Sequence, residues 1–342
     1  MVNRRTRNLI LFIAVGTDVL VLAGLAAWFF GRRQAQADTG VTQSSVLQPL
    51  DAQPAAPAAA DPAPPPPRHD TAAPPTSTPA TGPAEGRASD DSIRARELAG
   101  ARKLIDDGKL LEARDRLDAL FKRDLADSDA EAVRVLLARV ADETVFSRKA
   151  GQSDPLLDTY EVQSGDRLTE IAREREVPWE AVALLSGVSN PSNLRAGQKL
   201  RIPKGTFHVK LYKSKFRLDI YLNDLYLRSY RVGLGADDGT PEGIWRVKNR
   251  LTNPRYFPSA SATDKRIIEP DDPNNPLGEY WIGLEGLEGN AVGQEGYGIH
   301  GTIDPDSIGK NFSLGCIRML NEEVAVLYKL VQPGRSLVTV FP

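Results

Sequence analysis

Tyr297 to Met319 reads YGIHGTIDPDSIGKNFSLGCIRM. The stretch holds the single cysteine of the chain, Cys316, and one of its three histidines, His300, each beside a glycine. A thiol and an imidazole make a nucleophile and a base. The thiolate attacks, and the imidazole lowers the thiol pKa and carries the proton to the leaving group. Gly315, just before Cys316, leaves backbone N–H groups uncrowded for a tetrahedral oxyanion. Ser313 is placed to anchor the turn through its hydroxyl, and Arg318 to hold a substrate carboxylate. A lone cysteine is often only a small buried hydrophobe, but a Gly-flanked Ser-x-Gly-Cys turn suits an exposed elbow better than a core strand. One cysteine and one histidine fall short of the four ligands of a structural zinc, so neither metal nor cofactor is expected.

HGT, then SIGK, then S-x-GCIRM with an acidic, helical follow-on resemble in order and spacing the L,D-transpeptidase catalytic domain (the YkuD family). The resemblance covers roughly residues 206–342. Leu314 stands where that family typically carries a histidine between the serine and the glycine. The resemblance implies that Cys316 attacks a stem peptide of peptidoglycan, with His300 as base, the Gly301 carbonyl orienting the imidazole, and the Gly315 and Cys316 N–H groups as the oxyanion hole. It implies substrate contacts from Arg318 and Ser313; Tyr297 is placed to line the cleft. The residues alone argue for cysteine acyl transfer, so hydrolysis to a carboxypeptidase product and a non-catalytic glycan-binding role both stay open.

Upstream of this stretch the pattern is β. Phe216, Leu218, Ile220 and Leu222 alternate onto one face, Asn223-Asp224 turns the chain, and Tyr226 to Leu234 returns. Turn signals recur at Gly235–Gly243, Asn253-Pro254 and Pro270–Gly278. Many short strands predict a mainly-β domain, a β-sandwich or partly closed barrel, with Glu322–Leu330 as a short helix behind the nucleophile. Gly239–Gly243 and Asn275–Gly278 resemble segments flanking the family's cleft. His208 sits in the alternating run FHVKLYK and reads as a strand residue, and His69 lies in a Pro/Ala-rich segment.

Residues 158–204 carry Tyr-x-Val, Gly-Asp-x-Leu, Ile-Ala and Gly-Gln-x-Leu-x-Ile-Pro in order. This βααβ pattern resembles a LysM module, with Ser186 where an asparagine is usual. The resemblance implies binding of N-acetylglucosamine-containing glycan by two loops: Gly165, Asp166, Arg167 and Leu168 in one, Ser189 and Asn190 in the other.

Residues 89–150 show helical periodicity through Ile93, Leu98, Leu104 and Ile105, then Leu110, Leu111, Ala113, Leu117, Leu120 and Phe121, then Val133, Leu136, Leu137 and Val140. Three amphipathic helices follow, broken at Asp107-Gly108, faintly like a tetratricopeptide unit but too few to stack. A packing or spacing bundle is expected.

Residues 38–88 are rich in Pro, Ala, Thr and Asp and read as a disordered linker with a reach of roughly 150 Å. Residues 1–37 hold an apolar run from Asn8 to Phe30 behind Arg4, Arg5 and Arg7. It is long enough to span a bilayer with the remainder outside, which predicts a single-pass anchor and periplasmic or other extracytoplasmic domains. A cleavage site after Ala37 is the competing reading. A net charge of −2 with no basic stripe argues against nucleic acid, and a single cysteine excludes an internal disulfide framework.

Overall fold

The computed structural model describes residues 84–147, 154–258 and 264–342. The predicted span 8–30, the possible cleavage site and almost all of the predicted linker lie outside them. Three helices come first: α1 (Ala84–Asp106), α2 (Leu110–Phe121) and α3 (Asp127–Glu143). α1 starts within the segment predicted as linker, at 84 rather than 89. It ends at Gly108, whose φ of 74° lets Lys109 N–H reach back to the Leu104 carbonyl at 2.8 Å. The apolar positions face inward as the period requires, with Ile93 the one of that set left exposed.

The LysM segment is βααβ as expected. β1 (Leu157–Glu161) pairs antiparallel with β2 (Lys199–Pro203), and α4 (Leu168–Glu174) and α5 (Trp179–Ser186) lie between them in sequence. Val162, Leu168, Ile171, Ala172, Val182, Leu200 and Ile202 form its core. α5 closes on Gly187 in the left-handed region, where Val188 N–H bonds the Ala183 carbonyl.

The rest is the expected mainly-β domain, built on one eight-stranded sheet with a short two-stranded pair beside it. β3 (Phe207–Tyr212), β4 (Arg217–Leu222), β5 (Leu225–Arg231), β7 (Gly243–Thr252), β8 (Tyr280–Gly289), β9 (Gly298–His300), β11 (Ile317–Arg318) and β12 (Leu337–Phe341) form eight strands. Their order is β11-β9-β8-β7-β12-β3-β4-β5. The β12–β3 and β11–β9 pairs are parallel and the others antiparallel. β6 (Leu234–Gly235) and β10 (Asn311–Ser313) form a separate short parallel pair. The sheet is curled, and Phe207, Leu211, Leu218, Ile220, Trp245 and Ile299 fill its core with Val324 and Leu327 of α6 (Asn321–Leu330).

β4 departs from simple alternation. Leu218, Ile220 and Leu222 face the core, yet Asp219 and Tyr221 opposite are also buried, and Phe216 sits outside the strand with φ 46°. The helical bundle covers that second face: Tyr221 and Tyr226 join its core, with Tyr226 against Phe121 at 5.4 Å between ring centroids. Asp219 accepts from Arg217 at 2.9 Å, and burial pushes its carboxyl above the usual range.

The bundle is bolted to the LysM module by buried polar groups. Arg114 on α2 donates to both carboxylate oxygens of Asp154, at 2.8 and 2.9 Å, with side chains 6% and 1% exposed. Arg201 on β2 donates to the Thr144 and Ser147 carbonyls beyond the end of α3. Removing one partner of a buried pair strands the other charge. Arg114→Ala is therefore expected to lower unfolding free energy by about 3–5 kcal/mol in urea titrations. Lys103→Ala, which breaks only the exposed pair with Asp107, is expected to leave the midpoint unchanged.

Candidate active site

β9 and β11 pair in parallel with Ile317 opposite Ile299 and Arg318 opposite His300, and Met319 N–H bonds the His300 carbonyl at 2.9 Å. Side chains alternate along a strand, so His300 and Arg318 share a face, and Cys316, one residue before β11, shares it too. Cys316 and His300 are then offset by one strand and two residues, roughly 8 Å between Cα atoms, a gap their side chains can close. The Arg318 charge acts on both, disfavouring the imidazolium and favouring the thiolate.

His300 is 4% exposed. Its Nδ1 lies 2.6 Å from the Gly301 carbonyl, which assigns the proton to Nδ1 and leaves Nε2 as a lone pair. Burial, seconded by Arg318 and opposed by that carbonyl, pushes its pKa down to about 4. Trp281, its register partner on β8, stacks on the ring at 5.9 Å and 18°. Gly298 makes room for that indole, because a Cβ there would fall 2.5 Å from it.

Asn321 at the start of α6 accepts from Thr302 N–H and donates to the Thr302 carbonyl, both at 3.0 Å. It thereby holds the backbone beside Gly301, where any Cβ would lie 2.0 Å from Asn321 Oδ1. Gly278, in the segment expected beside the cleft, is excluded from bearing a side chain by the same oxygen at 2.4 Å.

The nucleophile turn is held from both sides. Ser313 Oγ donates to the Cys316 carbonyl at 2.6 Å and accepts Gly315 N–H at 3.1 Å. Thr240 Oγ1 donates to the Gly315 carbonyl and accepts Gly235 N–H, each at 3.0 Å. Gly315 has φ 135°, and a Cβ would meet the Gly239 carbonyl and the Tyr297 ring at 2.6 Å. Cys316 is half-buried; its thiol donates to the Gly296 carbonyl at 3.6 Å. Burial pushes the thiol pKa up, against the Gly298 backbone and Arg318.

Several expectations change. The thiol is raised by burial rather than lowered by its neighbour. Gly315 N–H is bound to Ser313 Oγ, so it is not free for an oxyanion, and Ser313 anchors the turn through its hydroxyl as expected. Tyr297 walls the turn and tilts against Trp245 at 5.2 Å. Leu314, in the histidine position, is 73% exposed. His208 is a strand residue whose Nδ1 accepts Leu337 N–H at 3.2 Å. In the LysM loops Leu168 is core at 1% exposure, and Asp166 is occupied by Tyr160 OH and Gln163 N–H. Gly165, Arg167, Ser189 and Asn190 remain exposed. Trp281, Thr240 and Asn321 complete the site. Gly239–Gly243 was singled out in the sequence, but only strand pairing reveals what Trp281 and Asn321 touch.

Comparison with known proteins agrees with this geometry. Residues 200–340 match the L,D-transpeptidase catalytic domain (YkuD), and residues 160–203 match the LysM domain. Two Bacillus subtilis proteins named as L,D-transpeptidases are similar. YqjB is 40% identical over 139 residues, 40% of this chain and 72% of that protein. YkuD is 31% identical over 183 residues, 52% of this chain and 94% of that protein. Escherichia coli YcfS, also named as an L,D-transpeptidase, is 27% identical over 189 residues, 50% and 57% of the two chains. The chain belongs to the YkuD family of L,D-transpeptidases. Its two matched domains imply an enzyme that binds and acts on peptidoglycan, in the cell wall and outside the cytoplasm. Among the described residues no helix is long and apolar enough to cross a membrane, and none of them form a metal-ligand cluster.

The depressed His300 pKa sets a pH dependence. The unfolded chain binds a proton near pH 6.5 and the folded one near 4, so stability is full above about 6.5 and is lost as pH falls towards 4. Urea midpoints measured from pH 7 to 4 are expected to fall more steeply for the native chain than for His300→Asn.

Proposed function

We propose that this protein forms peptidoglycan cross-links by cysteine acyl transfer from a tetrapeptide stem. The parallel register of β9 and β11, which puts His300 and Arg318 on one face with Cys316 two residues before Arg318, is the observation that carries the reading. Family membership supports the substrate class.

The resting pair is neutral, because burial disfavours both thiolate and imidazolium. As Sγ attacks the carbonyl of the diamino-acid residue, its proton passes to His300 Nε2, and Cys316 N–H bonds the developing oxyanion. Collapse breaks the C–N bond; the amine of the terminal D-alanine takes the proton from His300 and leaves, and a thioester remains. The acceptor amine then loses its proton to the same imidazole, attacks the thioester and returns the thiol. The Gly301 carbonyl and the Trp281 stack fix the ring and leave Nε2 to take the proton, while Arg318 holds a substrate carboxylate.

Gly165, Arg167, Ser189 and Asn190 hold the glycan in this reading. The N-terminal run 8–30 anchors the chain in the membrane, with the catalytic domain in the periplasm or its equivalent.

Incubating the chain with disaccharide-tetrapeptide and analysing products by mass spectrometry tests the proposal. Loss of D-alanine with a cross-linked dimer is expected, absent in Cys316→Ala and slowed roughly 100- to 10,000-fold in His300→Ala. Tripeptide alone would make the protein a carboxypeptidase. No cysteine-dependent change, with glycan still bound, would leave a binding module.

A further inference from the structure

Domains joined by a linker move relative to one another by default unless a large apolar interface stops them. The LysM module and the catalytic domain share an apolar contact and a largely buried ion pair. Ala181 and Leu185 of α5, both fully buried, belong to the same apolar core as the curled sheet, and Leu157 of β1 joins them. Beside that contact Glu180 pairs with Arg250 of β7 at 3.1 Å, with side chains 14% and 12% exposed. Arg250 lies over the Tyr328 ring at 4.6 Å and donates to the Tyr328 carbonyl on α6. Arg335 and Glu176 close the rim at 2.7 Å.

The connection is equally constrained. Only Lys204, Gly205 and Thr206 separate β2 from β3. Asn223 donates to the Lys204 carbonyl at 2.9 Å and accepts Thr206 N–H at 3.2 Å. Gly205 has φ 123°, and a Cβ there would fall 2.0 Å from Asn223 Oδ1. Both residues flanking Gly205 are thus tied to Asn223 at the β4–β5 turn. From the other side, Arg201 and the Arg114–Asp154 pair tie the module to the helical bundle, which itself covers β4 and β5. The helix that receives Arg250 is also the one that starts at Asn321 and holds Gly301 beside the base.

We propose that the LysM module and the catalytic domain read one glycan strand as a single rigid body, so that Cys316 meets stems at a fixed offset, in one direction, from the sugars the module holds. The substrate class is then a stem on a polymeric strand, selected by position. This rests on the transpeptidase reading above. A glycan strand is polar, so a rigid reader reaches stems on only one side of its grip; a flexibly tethered module would reach both sides, set by tether length alone.

The test uses a defined oligomer of four disaccharide-tetrapeptides, isotopically labelled at one end, with tandem mass spectrometry to locate each stem that loses D-alanine. The native chain is expected to favour stems towards one end by at least about fivefold. Glu180→Lys sets a like charge against Arg250. It is expected to equalise the ends while turnover of the single disaccharide-tetrapeptide stays within about twofold. Glu180→Gln with Arg335→Ala is the milder second variant, and retained glycan binding shows that the module is folded in each. A flat distribution in the native chain would overturn the proposal and leave transpeptidation standing. So would an end bias unchanged in both variants, because the bias would then not come from the junction. No turnover of either substrate would sink the transpeptidase reading itself.

Discussion

The parallel pairing of β9 with β11 is the constraint on which the site depends. Parallel neighbours require a crossover connection, and here the chain from Gly301 to Cys316 makes it, pairing β10 with β6 on the way. The crossover must return in one register. A shift by one residue would turn Cys316 away from the face that carries His300. Ser313 fixes the turn from within and Thr240 from the neighbouring loop, while Asn321 fixes the far end beside Gly301. The glycines at 298, 301 and 315 are the counterpart of this crowding, since at each a methyl group would collide with a partner already in place.

Burial then decides the protonation state. An imidazole with 4% exposure cannot easily take a charge, and the Arg318 cation beside it works in the same direction. The thiol feels Arg318 oppositely, yet desolvation remains the largest influence on it. A site built this way stores no ion pair at rest. In the proposed reaction charge develops only when substrate arrives, where the Cys316 N–H and the Arg318 guanidinium would have their effect. Trp281 and the Gly301 carbonyl act before that moment, by fixing the ring and its tautomer.

Around the site the other domains are joined by buried contacts rather than strung on linkers. β4 shows this most directly, because its two faces belong to two different cores, one shared with the sheet and one with the helical bundle. Of the packing and spacing roles expected for the bundle, packing is the one seen: it covers a strand of the catalytic domain. The LysM module meets the catalytic domain through Glu180–Arg250 and the end of α3 through Arg201, while Arg114 holds Asp154 in the segment just ahead of the module. Paired charges in such places do little for net stability, but they specify how the domains meet.

The sequence by itself determined the periodic and the covalent. Helical spacing from Leu98 to Val140, the βααβ order of 158–204, and alternation in 216–222 are local patterns, and local sterics and burial produce them. The family was legible because the chain has a single cysteine in a Gly-flanked Ser-x-Gly-Cys turn, with His-Gly upstream at the spacing of that family. Tertiary structure decided whatever depends on partners distant in sequence. Strand content allowed a sandwich or a partly closed barrel, and strand order made a single large curled sheet. Leu168 and Asp166 fell to core and turn, and Ser313 and Gly315 N–H to each other, because a residue type does not say which neighbour will use its hydrogen bonds. Trp281 and Asn321 became part of the site only through pairing across β8 and β9 and through the start of α6. The pKa of His300 belongs to the same class, since burial is a property of what surrounds a side chain and not of the side chain itself.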